Sequence, residues 1–428
     1  MLKAFLNAFR VPDLRAKILF TLAIIAVFRL GSYMPVPVVD IGILQRELER
    51  QGAGGFLGII NLFSGGGLSR LAVFSLGIMP YITSSIIMQL MTVVIPKLQQ
   101  WQEQGEAGTK KINQWTRYVT VVLALLQSTG LVFLFHNPSA SGIPDVFPPG
   151  TFTGPNVAFI VLIMTAGTAL IMWLGELITQ RGVGNGMSIL IFTSVISTLP
   201  FEGRVILEQG GLGKFIVILL IGLAIIIGVI YVDQGQRRVP IQYAKRVVGR
   251  KMTSGGSTYL PLKVNQAGVI PIIFATSVLY FPALLASVYH AEWFQNFVTN
   301  YVQNTRSVVY MALLAMLIIF FSYFYTAIQF DPTRTADNLR KNGGFIPGIR
   351  PGPPTADYLN RILIRIGLPG AIFLAVIALI PTIVFAVWGL SQFPFGGTSI
   401  LIAVGVALET MKQIESQLLM RHYEGFLG

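Results

Sequence analysis

Apolar runs close to the thickness of a bilayer core recur ten times along this 428-residue chain, and that recurrence constrains the fold more than any other feature. A hydrocarbon core about 30 Å thick is crossed by roughly 20 apolar residues in helix. A helix suits that environment because it satisfies its own backbone polar groups where no water can. The expected spans are residues 18–35, 71–95, 117–136, 156–179, 186–200, 214–232, 267–289, 308–330, 367–388 and 398–417. The fifth is short and the tenth carries Glu409. Only 11% of the residues are charged and 53% are hydrophobic, whereas an ordinary soluble domain is about a quarter charged. No water-soluble core hides that much apolar surface. Lys3, Arg10, Arg15 and Lys17 before the first run resemble the start of a signal peptide. The run continues to about Pro35 and no small-residue cleavage site follows, so it is expected to be a retained first span. The expected fold class is an all-α polytopic membrane protein of ten transmembrane helices.

The basic residues orient the bundle, because cytoplasmic loops collect Lys and Arg. With the N-terminus inside, the outer connections hold only Arg46, Arg50, Arg70, Arg204, Lys214 and Arg306 of the 31 basic residues, and Arg29 lies within span 1. Both termini are therefore expected on the cytoplasmic side. The organisation is then a cytoplasmic segment 1–17, an N-terminal half 18–200, a C-terminal half 201–417 and a cytoplasmic end 418–428. Two five-span halves would lie inverted in the membrane, each holding an odd number of spans.

Three connections exceed what a turn needs. Residues 233–265 carry Arg237, Arg238, Lys245, Arg246, Arg250 and Lys251, and residues 331–366 carry Arg340, Lys341 and Arg350 among Pro347, Pro351, Pro353 and Pro354. One reading is a topology signal with attraction to anionic membrane lipids. The other is a docking surface for a large acidic partner such as ribosomal RNA or a motor protein. The third connection, residues 53–67, is apolar, glycine-flanked and too short to span. It is either a helix lying flat on the outer interface or a stopper folded back into a cavity, since irregular backbone at membrane depth survives only where protein covers it or it lines a wet space.

Catalytic constellations are missing from the sequence. His136, His290 and His422 lie near span ends or the C-terminus, and no H-E-x-x-H, G-x-S-x-G or phosphate-binding loop occurs. Gly182-Val183-Gly184-Asn185-Gly186 reads as a tight inner turn, lacking the strand that a nucleotide fingerprint requires. Ionisable groups within spans mark coupled transport. The candidates are Arg29, Glu176 and Glu409, all toward span ends, with Arg29 placed to snorkel outward. No enzyme, cofactor or metal is expected. A secondary solute transporter with a re-entrant loop is the alternative, and it would require charge near the midplane.

Several segments resemble the SecY family, the pore subunits of the bacterial protein-conducting channel. They are Phe63-Ser64-Gly65-Gly66 with Gly77-Ile78-Met79-Pro80-Tyr81-Ile82; Trp173-Leu174-Gly175-Glu176 with Arg181 to Gly186; Pro261-Leu262-Lys263-Val264-Asn265 with Ala267-Gly268-Val269-Ile270-Pro271; Thr335-Ala336-Asp337-Asn338-Leu339; and Phe345 to Gly352. The resemblance runs from about Phe5 to Phe426 and keeps the order of all ten spans. It implies two inverted halves around an hourglass pore, with a waist ring of Ile78, Ile82, Ile191, Ile273 and Ile402 joined by Met187. Segment 56–66 would be the plug, including Phe56, Leu57, Ile59, Ile60, Asn61, Leu62, Phe63 and Ser64. A lateral gate between spans 2 and 3 and spans 7 and 8 would include Thr83, Gln89, Gln127, Thr276 and Phe281. Lys245, Arg246, Arg250, Lys251 and Arg350 would dock the ribosome or the SecA motor. SecE, SecG, signal sequences and nascent chains are the other implied partners.

Overall fold

A computed structural model describes residues 9, 11–44, 61–136, 144–243, 246–248, 251–253, 257–288, 291–304, 307–388 and 397–424. In chain order the helices are α1 (Pro12–Tyr33), α2 (Met79–Val94), α3 (Pro96–Glu103), α4 (Glu106–His136), α5 (Gly154–Arg181), α6 (Gly186–Gln234), α7 (Ile270–Val288), α8 (Glu292–Phe297), α9 (Val308–Gln329), α10 (Pro332–Lys341), α11 (Pro353–Trp388) and α12 (Gly397–Glu424). The strands are β1 (Gln236–Tyr243), β2 (Arg246–Val248), β3 (Lys251–Thr253), β4 (Ser257–Lys263) and β5 (Gly344–Phe345). Each expected span falls on a helical stretch, in order. Among the described residues five stretches are long and apolar enough to cross a membrane by themselves: Glu106–His136, Gly154–Arg181, Gly210–Gln234, Val308–Lys341 and Pro353–Val384. The molecule is a multi-pass, helical membrane protein, consistent with ten spans.

Two boundaries differ from the sequence expectation, and each has a local cause. The span expected over 71–95 is helical only from Met79. Residues 71–78 are buried yet irregular, with Leu71 at φ 38° and Gly77 at φ 58°, and Pro80 in the helix's first turn. The run is apolar because protein covers it. Its backbone is satisfied locally, by Val73 N–H donating to the Met34 carbonyl (2.9 Å), Ala72 N–H to Gly67 (2.9 Å) and Gly77 N–H to Phe74 (2.9 Å). The second difference is between spans 5 and 6. Residues 201–210 are helical, and the two spans meet at a break at Gly211 (φ 71°, ψ 172°), backbone that essentially only glycine adopts.

The core runs through both halves. In the first, α1 packs on α5, α4 on α2 and α5, and α5 on the start of α6; in the second, α7 packs on α9, α9 on α11, and α12 on α6 and α11. The two groups meet where α7 lies against α2 and α4. One continuous hydrophobic cluster joins them, from Phe28 and Phe74 through Ile82, Leu190 and Phe274 to Leu374 and Val406.

A small sheet adds to the all-helical expectation. β1 pairs antiparallel with β4, Gln236 opposite Lys263, and on its other edge with β5, Gln242 opposite Phe345. The two long basic connections therefore share one three-stranded sheet, ordered β4-β1-β5. Its underside buries Val239, Leu262 and Ile346 against Leu359 and Leu363 of α11. At this same end α12 is tied to α6 by an ion pair between Lys412 and Asp233.

Candidate functional site

The described part of the glycine-flanked segment, residues 61–67, folds inward. Residues 61–63 are helical and a chain of turns follows. Leu62, Phe63 and Ser64 are almost fully buried, with relative exposures of 4%, 2% and 0%. That excludes a flat interfacial helix for this part. Phe56, Leu57, Ile59 and Ile60 lie outside the described residues. The polar members expected within the segment fasten its own turn. Ser64 Oγ donates to the Asn61 carbonyl (3.1 Å) and accepts from Leu68 N–H (3.0 Å), while Asn61 Oδ1 accepts from Ser69 N–H (3.0 Å).

The seat beneath it is Gly77. A Cβ there would stand 2.6 Å from the Phe63 carbonyl oxygen and 2.9 Å from Ser64 Cα, both backbone atoms. Glycine is required twice over, for the positive φ and for the close approach.

The expected ring is assembled from four helices. Ile78 caps the start of α2 and Ile82 lies in its first turn; Ile191 is on α6, Ile273 on α7 and Ile402 on α12. All five are at most 7% exposed. They share one cluster with Leu62 and Phe63, and half-buried Met187 packs against it. The turn before α6 holds Ile191's helix in place. Asn185 Oδ1 accepts from Met187 and Ser188 N–H (3.1 and 3.4 Å), and Gly186 N–H donates to Thr179 Oγ1 (2.9 Å) on α5. This confirms a tight turn in place of a nucleotide loop.

The expected gate residues divide. Thr83 on α2 and Gln127 on α4 are 1% and 3% exposed, and among the described residues Thr83 Oγ1 and both Gln127 amide atoms lack a hydrogen-bond partner. Gln89 Oε1 is likewise unpaired. Each such group costs about 1–3 kcal/mol, so the helices on which α7 packs carry a standing polar debt. Thr276 on α7 is satisfied, donating to its own helix at Ile272 and Ile273 (3.0 Å each). Phe281 is in α7, and its side chain is outside those described.

The expected docking residues also divide. Lys245 and Arg250 lie outside the described residues. Arg246 and Lys251 sit in the β2–β3 ribbon, opposite Thr253 and Val248 respectively. Arg350 is exposed on the turn after β5, where its carbonyl accepts from Thr355 Oγ1 (2.9 Å). Arg237 and Arg238 on β1 are exposed as well.

The charged groups inside spans are not a transport relay. Glu176 is paired bidentately with Arg117 of α4, Nε to Oε1 at 2.7 Å and Nη2 to Oε2 at 2.6 Å. Glu409 is exposed on α12. Arg29 reaches toward the outer end of span 1, where its Nη2 donates to Tyr33 Oη (3.1 Å). Its guanidinium donates to the Gly65 carbonyl and to Ser197 Oγ, both at 2.8 Å. An arginine inside an apolar run was a legible signal of function, but its partners lie 36 and 168 residues away.

Comparison with known proteins agrees with this geometry. The SecY family model matches residues 72–411. The chain is 52% identical to the protein translocase subunit SecY of Streptomyces coelicolor and 49% identical to that of Mycobacterium tuberculosis, in each case over all of both chains. Its fold matches a solved protein-conducting channel with a TM-score of 0.62 at 15% identity, covering 94% of this chain and 92% of that one. It also matches an idle yeast Ssh1 complex bound to the yeast 80S ribosome, with a TM-score of 0.62 at 15% identity, covering 96% and 89%. The match of the family model to most of the chain, with half-identical relatives over its full length, establishes that the chain belongs to the SecY family of protein translocase subunits.

Proposed function

We propose that the chain is the pore of a bacterial protein-conducting channel, passing unfolded secretory proteins across the cytoplasmic membrane and releasing hydrophobic spans sideways into lipid. The observation that carries this reading is the buried set Ile78, Ile82, Ile191, Ile273 and Ile402, drawn from four helices into one cluster with the inward-folded turn at Leu62 and Phe63. Aliphatic side chains around a passing polypeptide yield without selecting a sequence, and when closed they exclude water and ions. Segment 56–66 is the plug, and its described members Leu62 and Phe63 share that cluster.

The lateral gate lies where α7 meets α2 and α4. The unpaired Thr83 and Gln127 support it, because a seam carrying unsatisfied polar groups is cheaper to part than an all-apolar one. The two halves are inverted repeats, both termini are cytoplasmic, and the basic sheet faces the cytoplasm, where Lys and Arg collect. Exposed Arg350, Arg237 and Arg238, with Lys245, Arg246, Arg250 and Lys251, dock the SecA motor or ribosomal RNA. SecE and SecG complete the channel, and the driving force comes from the motor or the ribosome.

The test is reconstitution of the purified complex into proteoliposomes with SecA, ATP and a secretory precursor. Protease-protected precursor is the expected result; uptake of small solutes with no protected precursor would overturn the reading in favour of a transporter. Deleting 57–65 should raise ion leak in planar bilayers, and an unchanged seal would remove the plug assignment.

A further inference from the structure

Among the described residues of the first half, Arg29 is the one arginine within a span whose partners are a turn and a second span. Three separate parts of the chain converge on it. It projects from α1, the Gly65 carbonyl comes from the inward-folded turn, and Ser197 belongs to the fifth-span portion of α6. Nη1 donates to both of these at 2.8 Å, and Nη2 donates to Tyr33 Oη at 3.1 Å. Ser197 Oγ is itself oriented, since it donates to the Ser194 carbonyl at 2.7 Å and so turns its lone pairs to the arginine. Two cations lie over the Tyr33 ring, Arg29 5.0 Å and Arg70 4.2 Å from its centroid.

We infer that Arg29 is the positioning residue that latches the plug in the closed channel to α1 and to the fifth-span portion of α6. The inference rests on the plug reading above. A half-buried guanidinium needs acceptors, and here one of them belongs to the element that must move. The acceptor is backbone, so the latch is independent of the plug's own side chains. Lifting the turn strips the cation of Gly65, while Ser197 and Tyr33 keep it solvated, so the latch can close again. A hydrogen bond to a charged donor is among the stronger kinds. Losing one corresponds to about a tenfold or greater rise in the open fraction.

The test is resting ion current across planar bilayers holding the full chain with its companion subunits, comparing Arg29→Gln, Arg29→Lys, Ser197→Ala, deletion of 57–65, and Arg29→Gln combined with that deletion. Arg29→Gln should raise the frequency of openings about tenfold or more, Arg29→Lys and Ser197→Ala by less, and Arg29→Gln should add nothing once the plug is deleted. That last result separates a latch from a residue that merely packs the wall. A native seal in Arg29→Gln beside a leaking deletion would overturn the latch and leave the plug reading standing. Additive leak would place Arg29's effect elsewhere and overturn it too. A deletion that does not leak would overturn the plug reading, and the latch with it. If Arg29→Gln fails to assemble, Ser197→Ala carries the test, and a native seal there overturns the latch.

Discussion

Gly77→Ala should unseat the plug without touching the pore ring or the plug's own sequence. Two costs add at this position. Alanine at φ 58° enters the left-handed region, at about 1–2 kcal/mol. Its methyl would also stand 2.6 Å from the Phe63 carbonyl oxygen and 2.9 Å from Ser64 Cα. Neither atom can rotate aside as a flexible side chain would, and overpacking of this kind costs about 1–3 kcal/mol. Only the clash is relieved when the turn lifts, so about 1–3 kcal/mol acts on the seated-to-unseated ratio, about fivefold at the lower end and more than a hundredfold at the upper. The left-handed strain stays with residue 77 in both states and lowers overall stability by about 1–2 kcal/mol. Planar-bilayer recordings should therefore show a leak approaching that of the 57–65 deletion, while the complex keeps most of its thermal stability. A variant that seals like the native channel would refute the reasoning. A loss of stability without leak would show that the contact holds the bundle together and is not the seat of a movable element.

Three further outcomes follow from the same geometry. Ile82→Ser with Ile191→Ser places hydroxyls among side chains that are now 6% and 4% exposed; ion conductance of the plug-deleted channel should rise further, and an unchanged current would place the constriction elsewhere. Thr83→Val removes a buried hydroxyl that lacks a partner, stabilising the closed seam by about 1–2 kcal/mol; export of precursors with weakly hydrophobic signals should fall, and equal export would take Thr83 out of the gate. Arg350→Glu reverses an exposed charge on the turn that follows the shared sheet; motor-driven export should slow while the resting seal stays native, and normal export would remove this residue from the docking surface.

The spans were legible because lipid imposes length and hydropathy together, as the coincidence of Gly154–Arg181 with the expected 156–179 illustrates. Legibility failed where burial came from protein. Residues 71–78 read as the start of a span, yet they are an irregular stretch under the plug seat, because a buried turn and a membrane helix are equally apolar. The junction at Gly211 was hidden for the opposite reason, since residues 201–210 continue the helix where a loop was expected. The basic connections were visible as charge and proline, but the pairing of Gln242 with Phe345 that joins them depends on residues about a hundred positions apart. The ring isoleucines are indistinguishable from ordinary core by periodicity and came only through family resemblance. Arg29 was visible as an anomaly, while its role waited on the placement of Gly65 and Ser197.

The most direct measurement of the account is where a polypeptide in transit touches the wall. The chain has no cysteine, so single cysteines at Ile82, Ile402 and the exposed wall positions Leu126 and Leu162 can each be offered to a secretory precursor stalled in transit and carrying one cysteine of its own. Disulfide cross-links are expected from Ile82 and Ile402 and none from Leu126 or Leu162. Cross-links from the wall positions with silence at Ile82 and Ile402 would contradict a central aliphatic pore.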